Sequence, residues 1–114
     1  MDDLAIYIIN YYSHLMTFEE KVAHKSMMGE FKIQSATSSS MKEALRKQWI
    51  SDDPKVLELL LGGPDAFGAR VRDRVMRDHS DEVFLNCCPR CGALAKTPTA
   101  KQCPKCFFSW HENP

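Results

Sequence analysis

Two pairs of cysteines near the end of the chain constrain its fold more than any other feature. Cys88 and Cys91 are separated by two residues, as are Cys103 and Cys106, and eleven residues lie between the pairs. Each C-x2-C turn directs two sulfur atoms at one point, so two facing turns supply the four soft ligands of a tetrahedral metal site. The spacing therefore predicts one bound metal ion. Zinc is the expected metal, iron is the alternative, and a disulfide pair is the remaining interpretation.

The fifth cysteine makes the choice of ligands ambiguous. Cys87 could form a looser pair with Cys91. The two-residue spacing, the proline after the first cysteine and the glycine after the second all favour Cys88 instead. Cys87 is then a small buried residue or a spare thiol. His111 follows the second pair and could replace a ligand, but we expect it on the exposed end of a final strand.

The start of the chain and its cysteine content indicate where the protein works. Residues 1–3 are acidic where a secretory signal would be basic, and the apolar run of residues 4–9 is too short for a signal core or a membrane span. Without an export signal, five cysteines indicate a reducing compartment and metal binding rather than a disulfide framework. We therefore expect a cytoplasmic protein with no membrane partner.

Residues 1–80 carry helical patterns on both sides of a polar connector, residues 34–40. Leu4, Ile8, Tyr11 and Leu15 recur at helical spacing, and neighbouring apolar residues make this first helix hydrophobic on its other sides too. Further helix-start signals are the capping boxes Thr17/Glu20 and Ser40/Glu43, Asp53 before Pro54, and Pro64-Asp65 after the stop Gly62-Gly63. In the last helix, Phe67, Val71 and Val75 are expected to form the buried edge. The sequence thus predicts about five short helices.

The pattern changes after residue 80. The segment 83–85 is short and β-prone, and Phe108 and Trp110, two residues apart, would share one face of a strand. We therefore predict an α+β fold, with a helical body in residues 1–80 and a small β unit, a zinc ribbon, in residues 81–114.

The motif Cys88-Pro-Arg-Cys91-Gly…Cys103-Pro-Lys-Cys106 resembles the knuckle pair of zinc-ribbon and rubredoxin-like modules. The resemblance covers residues 82–112 and implies a fold and a metal, but no activity. Phe107 stands where such turns usually place glycine. A positive φ there would cost a non-glycine residue about 1 kcal/mol, so we expect a distorted second turn. The helical part resembles no family, and it lacks the Glu-x-x-His pairs of rubrerythrin-type proteins.

Arginines on the last predicted helix are the candidate surface for nucleic acid or an acidic partner. Arg70, Arg74 and Arg77 share one face, with Arg72 nearby, and Lys96 and Lys101 could extend the patch. The alternative is a solvated face, because Asp73 can pair with Arg77, and Arg74 with Asp78, at i,i+4. The 15 basic and 15 acidic residues balance, so no overall field attracts nucleic acid.

The first helix is the candidate protein-binding surface, because it carries Tyr7, Tyr11 and Tyr12, and aromatic side chains are favoured at interfaces. Ordinary core packing is the alternative. Four thiolates would leave a metal no vacant position for substrate, and no catalytic set of residues can be assembled by spacing. We therefore expect a non-enzymatic, zinc-binding interaction or regulatory protein whose partner is another protein. The alternatives are a nucleic-acid-binding zinc ribbon and an iron-containing redox protein. The oligomeric state is not predicted.

Overall fold

The computed structural model describes residues 1–110, and five α-helices make up most of its first 80 residues. The helices are α1 (Asp3–Tyr11), α2 (Phe18–Ser35), α3 (Ser39–Trp49), α4 (Pro54–Leu59) and α5 (Gly63–His79). Short 3-10 helices lie at Ser13–Leu15 and Ser80–Glu82. No helix within residues 1–110 combines the length and apolarity needed to cross a bilayer.

Side-chain caps fix where the helices begin. Thr17 and Glu20 form the predicted capping box at the start of α2. Asp53 caps α4 by accepting a hydrogen bond from the backbone N–H of Lys55. The predicted cap of α3 is wrong by two residues, because Ser38 rather than Ser40 accepts the N–H bond at this end. Gly62 and Gly63 have φ of 90° and 87°, a conformation that ends α4.

The hydrophobic core lies between α1 and α5. Phe67, Val71 and Val75 are fully buried, which confirms the predicted edge of α5. The main partners from α1 are Tyr7 and Ile8. The hydrophobicity of α1 on several sides follows from this position, since the helix is enclosed by core on more than one side. The remaining buried members of the core are Ile9, Leu15, Met16, Ala23, Val56 and Val83.

Helices α2 and α3 form an antiparallel hairpin. Gly29 allows their close approach, because a Cβ at this position would lie 2.4 Å from the Cβ of Trp49. The hydroxyl of Ser26 joins the middle of α2 to the end of α3 by donating to the Trp49 carbonyl oxygen and accepting from the Ser51 N–H. The hairpin contributes to an elongated molecule of 54 × 33 × 23 Å.

The predicted α+β fold with a C-terminal β unit is wrong. Residues 1–110 contain no β-strand, and two isolated antiparallel bridges, Cys87 with Leu94 and Gln102 with Ser109, are their only β pairing. The chain on either side of each C-x2-C turn forms a single bridged residue pair, and one pair is too few for a β-ladder. The segment 83–85 does not pair with a strand. The Phe84 N–H donates a hydrogen bond to the Tyr12 hydroxyl instead. The division into residues 1–80 and 81–114 stays a prediction, and His111 lies outside the described residues.

Candidate metal centre

The sulfur atoms of Cys88, Cys91, Cys103 and Cys106 form one compact cluster. All four lie within 4.8 Å of one another. The distance from Cys88 Sγ to Cys106 Sγ is 3.7 Å, and that from Cys91 Sγ to Cys103 Sγ is 3.4 Å. A tetrahedral ion with metal–sulfur bonds of about 2.3 Å requires separations of about 3.8 Å. The donor set therefore fits one metal ion, and its size and chemistry suit zinc or iron.

Backbone N–H groups surround the cluster in a repeated pattern. In each turn the first cysteine is buried and its sulfur accepts two N–H bonds. Cys88 Sγ accepts from Arg90 and Cys91 at 3.4 Å, and Cys103 Sγ accepts from Lys105 and Cys106 at 3.3 Å. Such bonds stabilise the negative thiolate, which is the form that binds metal.

The two turns are structural copies of each other, fifteen residues apart. The Cys88 N–H donates to the Ala93 carbonyl oxygen at 2.8 Å, and the Cys103 N–H donates to that of Phe108 at the same distance. The outer bonds repeat as well, from Ala95 to Asn86 and from Trp110 to Lys101. Residues 86–95 and 101–110 thus approach the cluster as equivalent halves.

The residue after each pair adopts a left-handed backbone conformation. Gly92 has φ of 80° and Phe107 has φ of 64°. Phe107 is the only non-glycine residue among residues 1–110 with a positive φ, and the conformation costs such a residue about 1 kcal/mol or more. The second turn nevertheless keeps the shape of the first, in place of the expected distortion. Phe107 therefore bears the conformational free energy of the positive φ, and the sulfur atoms of the second turn are not displaced.

The electrostatics of the cluster favour a bound cation. The N–H groups of Cys106 and Lys105 lower the pKa of the Cys103 thiol to about 6. Burial raises the pKa of Cys88, but N–H bonds outweigh this effect and leave that pKa below its ordinary value. The Ala93 N–H lowers the pKa of Cys91, whereas the adjacent Cys103 thiol raises it, with a net result of about 12. Without a cation one thiol of this close pair keeps its proton, and a divalent ion removes the conflict.

A buried asparagine that the sequence analysis missed joins the cluster to the helical body. Asn86 is 7% exposed, and its amide donates to the carbonyl oxygens of Thr97 and Ala100 at 2.9 and 2.8 Å. Its backbone N–H donates to the Tyr7 hydroxyl at 3.3 Å, while that hydroxyl donates to the Phe84 carbonyl oxygen. One side chain therefore organises the connection between the two turns. A single Asn beside the cysteines carries no pattern that would identify this role.

The remaining candidates near the cluster take different positions. Cys87 lies outside the group of four and is exposed, because it neighbours Cys88 in an extended segment and points the other way. Tyr7 is 2% exposed and belongs to the core. Tyr12 is half-buried, and Tyr11 is the one tyrosine of the predicted interface with a large exposed surface, at 45%.

A groove of about 1110 Å³ separates α1 from the cysteine turns. Ile6 and Tyr11 line it on the side of α1, and Leu94, Pro104 and Phe107 line it on the other side. Phe107 is 70% exposed and Ile6 is 44% exposed. An ion pair from Asp3 to Lys105, 3.8 Å long, links the two walls at the surface.

The predicted arginine patch is largely paired with acids. Arg74 makes two bonds to the buried carboxylate of Glu20, at 2.6 and 2.7 Å, and a third to the Leu15 carbonyl oxygen. Arg77 bonds Asp78 at 3.0 Å rather than Asp73. Glu20 was recognised in the sequence only as part of a capping box, so this buried pair was missed.

The other basic candidates are dispersed. Arg72 pairs with Asp2 and Asp73, and Arg70 donates to the Leu59 carbonyl oxygen at 2.7 Å. Lys96 and Lys101 are exposed near the cysteine turns, and Lys96 lines the groove. Three of the four arginines on α5 thus pair with at least one carboxylate, while Arg70 bonds a carbonyl oxygen.

No protein-family model, curated protein or solved structure matches this chain. The resemblance to zinc-ribbon and rubredoxin-like modules is therefore carried by the cysteine spacing and by the clustering of the four sulfur atoms, which is consistent with such a module. The chain thus has a four-cysteine cluster able to hold a metal ion, beside an open groove.

Proposed function

We propose that this chain is a non-enzymatic, cytoplasmic protein-binding module stabilised by one zinc ion. The zinc would be held by Cys88, Cys91, Cys103 and Cys106. Because four thiolates fill a tetrahedral shell, the ion would have no position for substrate and would act as a structural clamp. Five free thiols suit the reducing cytoplasm.

The observation that carries the binding role is the groove between α1 and the cysteine turns. Its walls expose Ile6, Tyr11 and Phe107, three large apolar side chains that the core does not cover. Apolar and aromatic residues of this kind anchor protein interfaces, because they bury a large area at a small entropic cost. A segment of another protein that filled the groove would cover all three.

The metal and the groove are linked through the second turn. Cys103 lines the groove together with Pro104, Lys105 and Phe107. The segment that carries the two cysteine turns has little apolar core of its own, so its ordered structure depends on the metal. One wall of the groove is therefore expected to form only when the ion is bound, so that partner binding requires zinc.

Protein is favoured over nucleic acid as the partner because of the arginine contacts on α5. Arg72, Arg74 and Arg77 are each engaged by carboxylates. A phosphate backbone would have to displace these acids before it could be bound. Zinc is favoured over iron as the resident metal because the proposed role needs no redox chemistry, and colour separates the two metals directly.

Affinity capture from the native cell tests the proposal. The bait is the zinc-loaded chain, and its matched variants are Tyr11→Ala, which removes a groove side chain, and Phe18→Ala, which removes a still more exposed aromatic residue outside the groove. We expect proteins that are retained by the parent chain and by Phe18→Ala but lost with Tyr11→Ala. Nuclease treatment should leave the capture unchanged. The proposal would be contradicted if nuclease abolished the capture, or if Tyr11→Ala captured the same proteins as the parent chain.

A further inference from the structure

The hairpin of α2 and α3 carries an exposed face that the fold does not use. No residue of α3 is buried. Of the two buried hydrophobic residues of α2, Ala23 belongs to the core cluster and Ile33 lies outside it. Beyond Met27, the second half of α2 packs on α3, and so this part of the hairpin stands outside the core. The side chains on its outer surface are free to serve another purpose.

Charges on α2 are separated around the helix. Lys21, Lys25 and Lys32 are four and seven residues apart, so they share one side of the helix, and all three are exposed. Glu19 and Glu30 fall on the opposite side at the helical repeat. A solvated helix with no partner gains nothing from such separation, since mixed charges would allow i,i+4 pairs. The cationic side is complementary to an acidic surface.

Trp49 fixes two of these lysines. The ammonium groups of Lys25 and Lys32 lie 5.4 and 4.9 Å from the centre of the Trp49 ring. Each contact is a cation–π interaction that restrains a long and otherwise mobile side chain. Two like charges are thereby held near one ring. A carboxylate placed between them would relieve their repulsion and would find both donors already positioned.

An apolar hollow lies beside the lysines. Met28, Phe31 and Met41 are 42%, 51% and 51% exposed. They line a depression of about 380 Å³ between the two helices, together with Lys32, Ser35 and Ala36. Methionine side chains adapt to the shape of an inserted group. This shallow apolar depression offers a contact for side chains projecting from a partner helix.

We propose that this face of the hairpin binds an acidic amphipathic helix of another protein. The hairpin face consists of Lys21, Lys25, Met28, Phe31, Lys32 and Met41. Apolar residues of the partner helix enter the hollow, and carboxylates on its flank meet Lys25 and Lys32, which is the helix-in-groove mode of recognition. The hairpin face shares no residue with the groove beside α1. It is therefore a second contact surface that can be tested independently of the first.

The test uses the full zinc-loaded chain with Trp110→Phe, which leaves Trp49 as the one fluorescent tryptophan. The probe is a synthetic helix of about 18 residues with leucines at i, i+3, i+4 and i+7 and glutamates elsewhere. A second peptide has lysine in place of every glutamate. We expect saturable quenching or a shift of the Trp49 emission with the acidic peptide and no such change with the basic one.

Two matched pairs of substitutions locate the site. Lys25→Glu with Lys32→Glu should weaken acidic-peptide binding by about tenfold or more, because two attractive contacts become repulsive. Lys47→Glu with Lys55→Glu makes the same change of net charge away from the hairpin face and should leave the affinity unchanged. Met28→Ser with Phe31→Ser should also weaken binding. Since the exposed side chains do not support the core, unfolding midpoints are expected to stay close to that of the parent chain.

Three results would overturn the inference. These are no saturable response to the acidic peptide, an equal loss of affinity in the control pair, or binding to vesicles of phosphatidylserine and phosphatidylcholine without binding to the acidic peptide. The last result would identify the hairpin face as a lipid-binding surface. None of them bears on Tyr11, whose substitution tests the groove, so the failure of one surface is distinguishable from the failure of the other.

Discussion

The backbone N–H of Asn86 donates a hydrogen bond to the buried hydroxyl of Tyr7, 79 residues away in the chain. Tyr7 belongs to the core of the helical body, and Asn86 stands two residues before the first cysteine of the cluster. The same hydroxyl donates to the Phe84 carbonyl oxygen. One phenol group therefore satisfies two backbone groups of the segment that leads into the cysteine cluster. It sets where the cluster sits against α1.

Removing this hydroxyl should destabilise the whole chain. Tyr7→Phe leaves the Asn86 N–H and the Phe84 carbonyl oxygen without their partner, and an unsatisfied buried group costs about 1–3 kcal/mol. We expect a loss of that size in the free energy of unfolding, measured by urea titration with zinc present. Tyr11→Phe is the control, because Tyr11 is exposed, and it should change nothing measurable. Equal effects of the two substitutions would show that the Tyr7 bond is unimportant.

The buried ion pair of Glu20 and Arg74 should behave as a unit. The Glu20 side chain is 4% exposed, and its carboxylate takes two bonds from Arg74. Glu20→Gln keeps the shape and an acceptor for the helix cap but removes the buried carboxylate partner of the guanidinium, which is left with the more exposed carboxylate of Asp78 at 3.4 Å. The substitution should cost about 2 kcal/mol. Adding Arg74→Leu should recover part of the loss, since the guanidinium that lost its buried partner is then gone.

A double-mutant cycle measures this coupling. The unfolding free energies of Glu20→Gln, Arg74→Leu and the double variant are compared with that of the parent chain. Arg77→Gln, at a side chain that is 72% exposed, is the control and should have no measurable effect. Additive single effects would mean that the pair is not coupled.

Alanine at the two equivalent turn positions separates backbone strain from side-chain contacts. Gly92→Ala introduces a Cβ at φ of 80° in open space, so its effect is conformational and should be a loss of about 1 kcal/mol. Phe107→Ala keeps the Cβ that is already there at φ of 64°, so the strain is unchanged. Zinc affinity measured by competition with a chelator should fall in the first variant only. A larger loss for Phe107→Ala would indicate that its ring supports the site.

Acid should destabilise the chain through His24. Burial lowers the pKa of His24 below its ordinary value of 6.5, and the ring stacks on Phe67. The unfolded chain therefore binds this proton at a higher pH than the folded chain does. Stability is fully present above pH 6.5 and is lost as the pH falls through that value toward the folded pKa.

The pH dependence is measured by urea unfolding between about pH 7.5 and pH 6 with zinc content checked at each point. His24→Gln should flatten the dependence in this window. His14→Gln, at an exposed ring, should leave it intact. The idea fails when both variants keep the slope of the parent chain.

Local signals in the sequence predicted the helices well, but the sequence did not reveal the tertiary contacts. The capping box at Thr17 and the buried edge of α5 followed from spacing alone, because both depend on residues within four positions of one another. The predicted β unit was wrong because the backbone of Phe84 bonds to the hydroxyl groups of Tyr7 and Tyr12 instead of pairing with a strand.

The cysteine spacing placed the four sulfur atoms together, since a C-x2-C turn nearly determines its own geometry. The contacts of Asn86 and Glu20 were not predictable in the same way. Each joins residues from distant parts of the chain, and neither residue stands in a recognisable pattern. The repeat of residues 86–95 in 101–110 was hidden because side chains differ at most positions while the backbone bonds are the same.

The central claim is that four thiolates hold one structural zinc ion, and metal analysis of gently purified protein tests it most directly. The account predicts about one zinc per chain in a colourless protein, loss of zinc and of ordered structure in residues 83–110 for Cys88→Ser and for Cys106→Ser, and unchanged zinc for the neighbouring control Cys87→Ser. A parent chain without zinc, a red iron-containing protein, or a Cys88→Ser variant that keeps its full zinc content would contradict it.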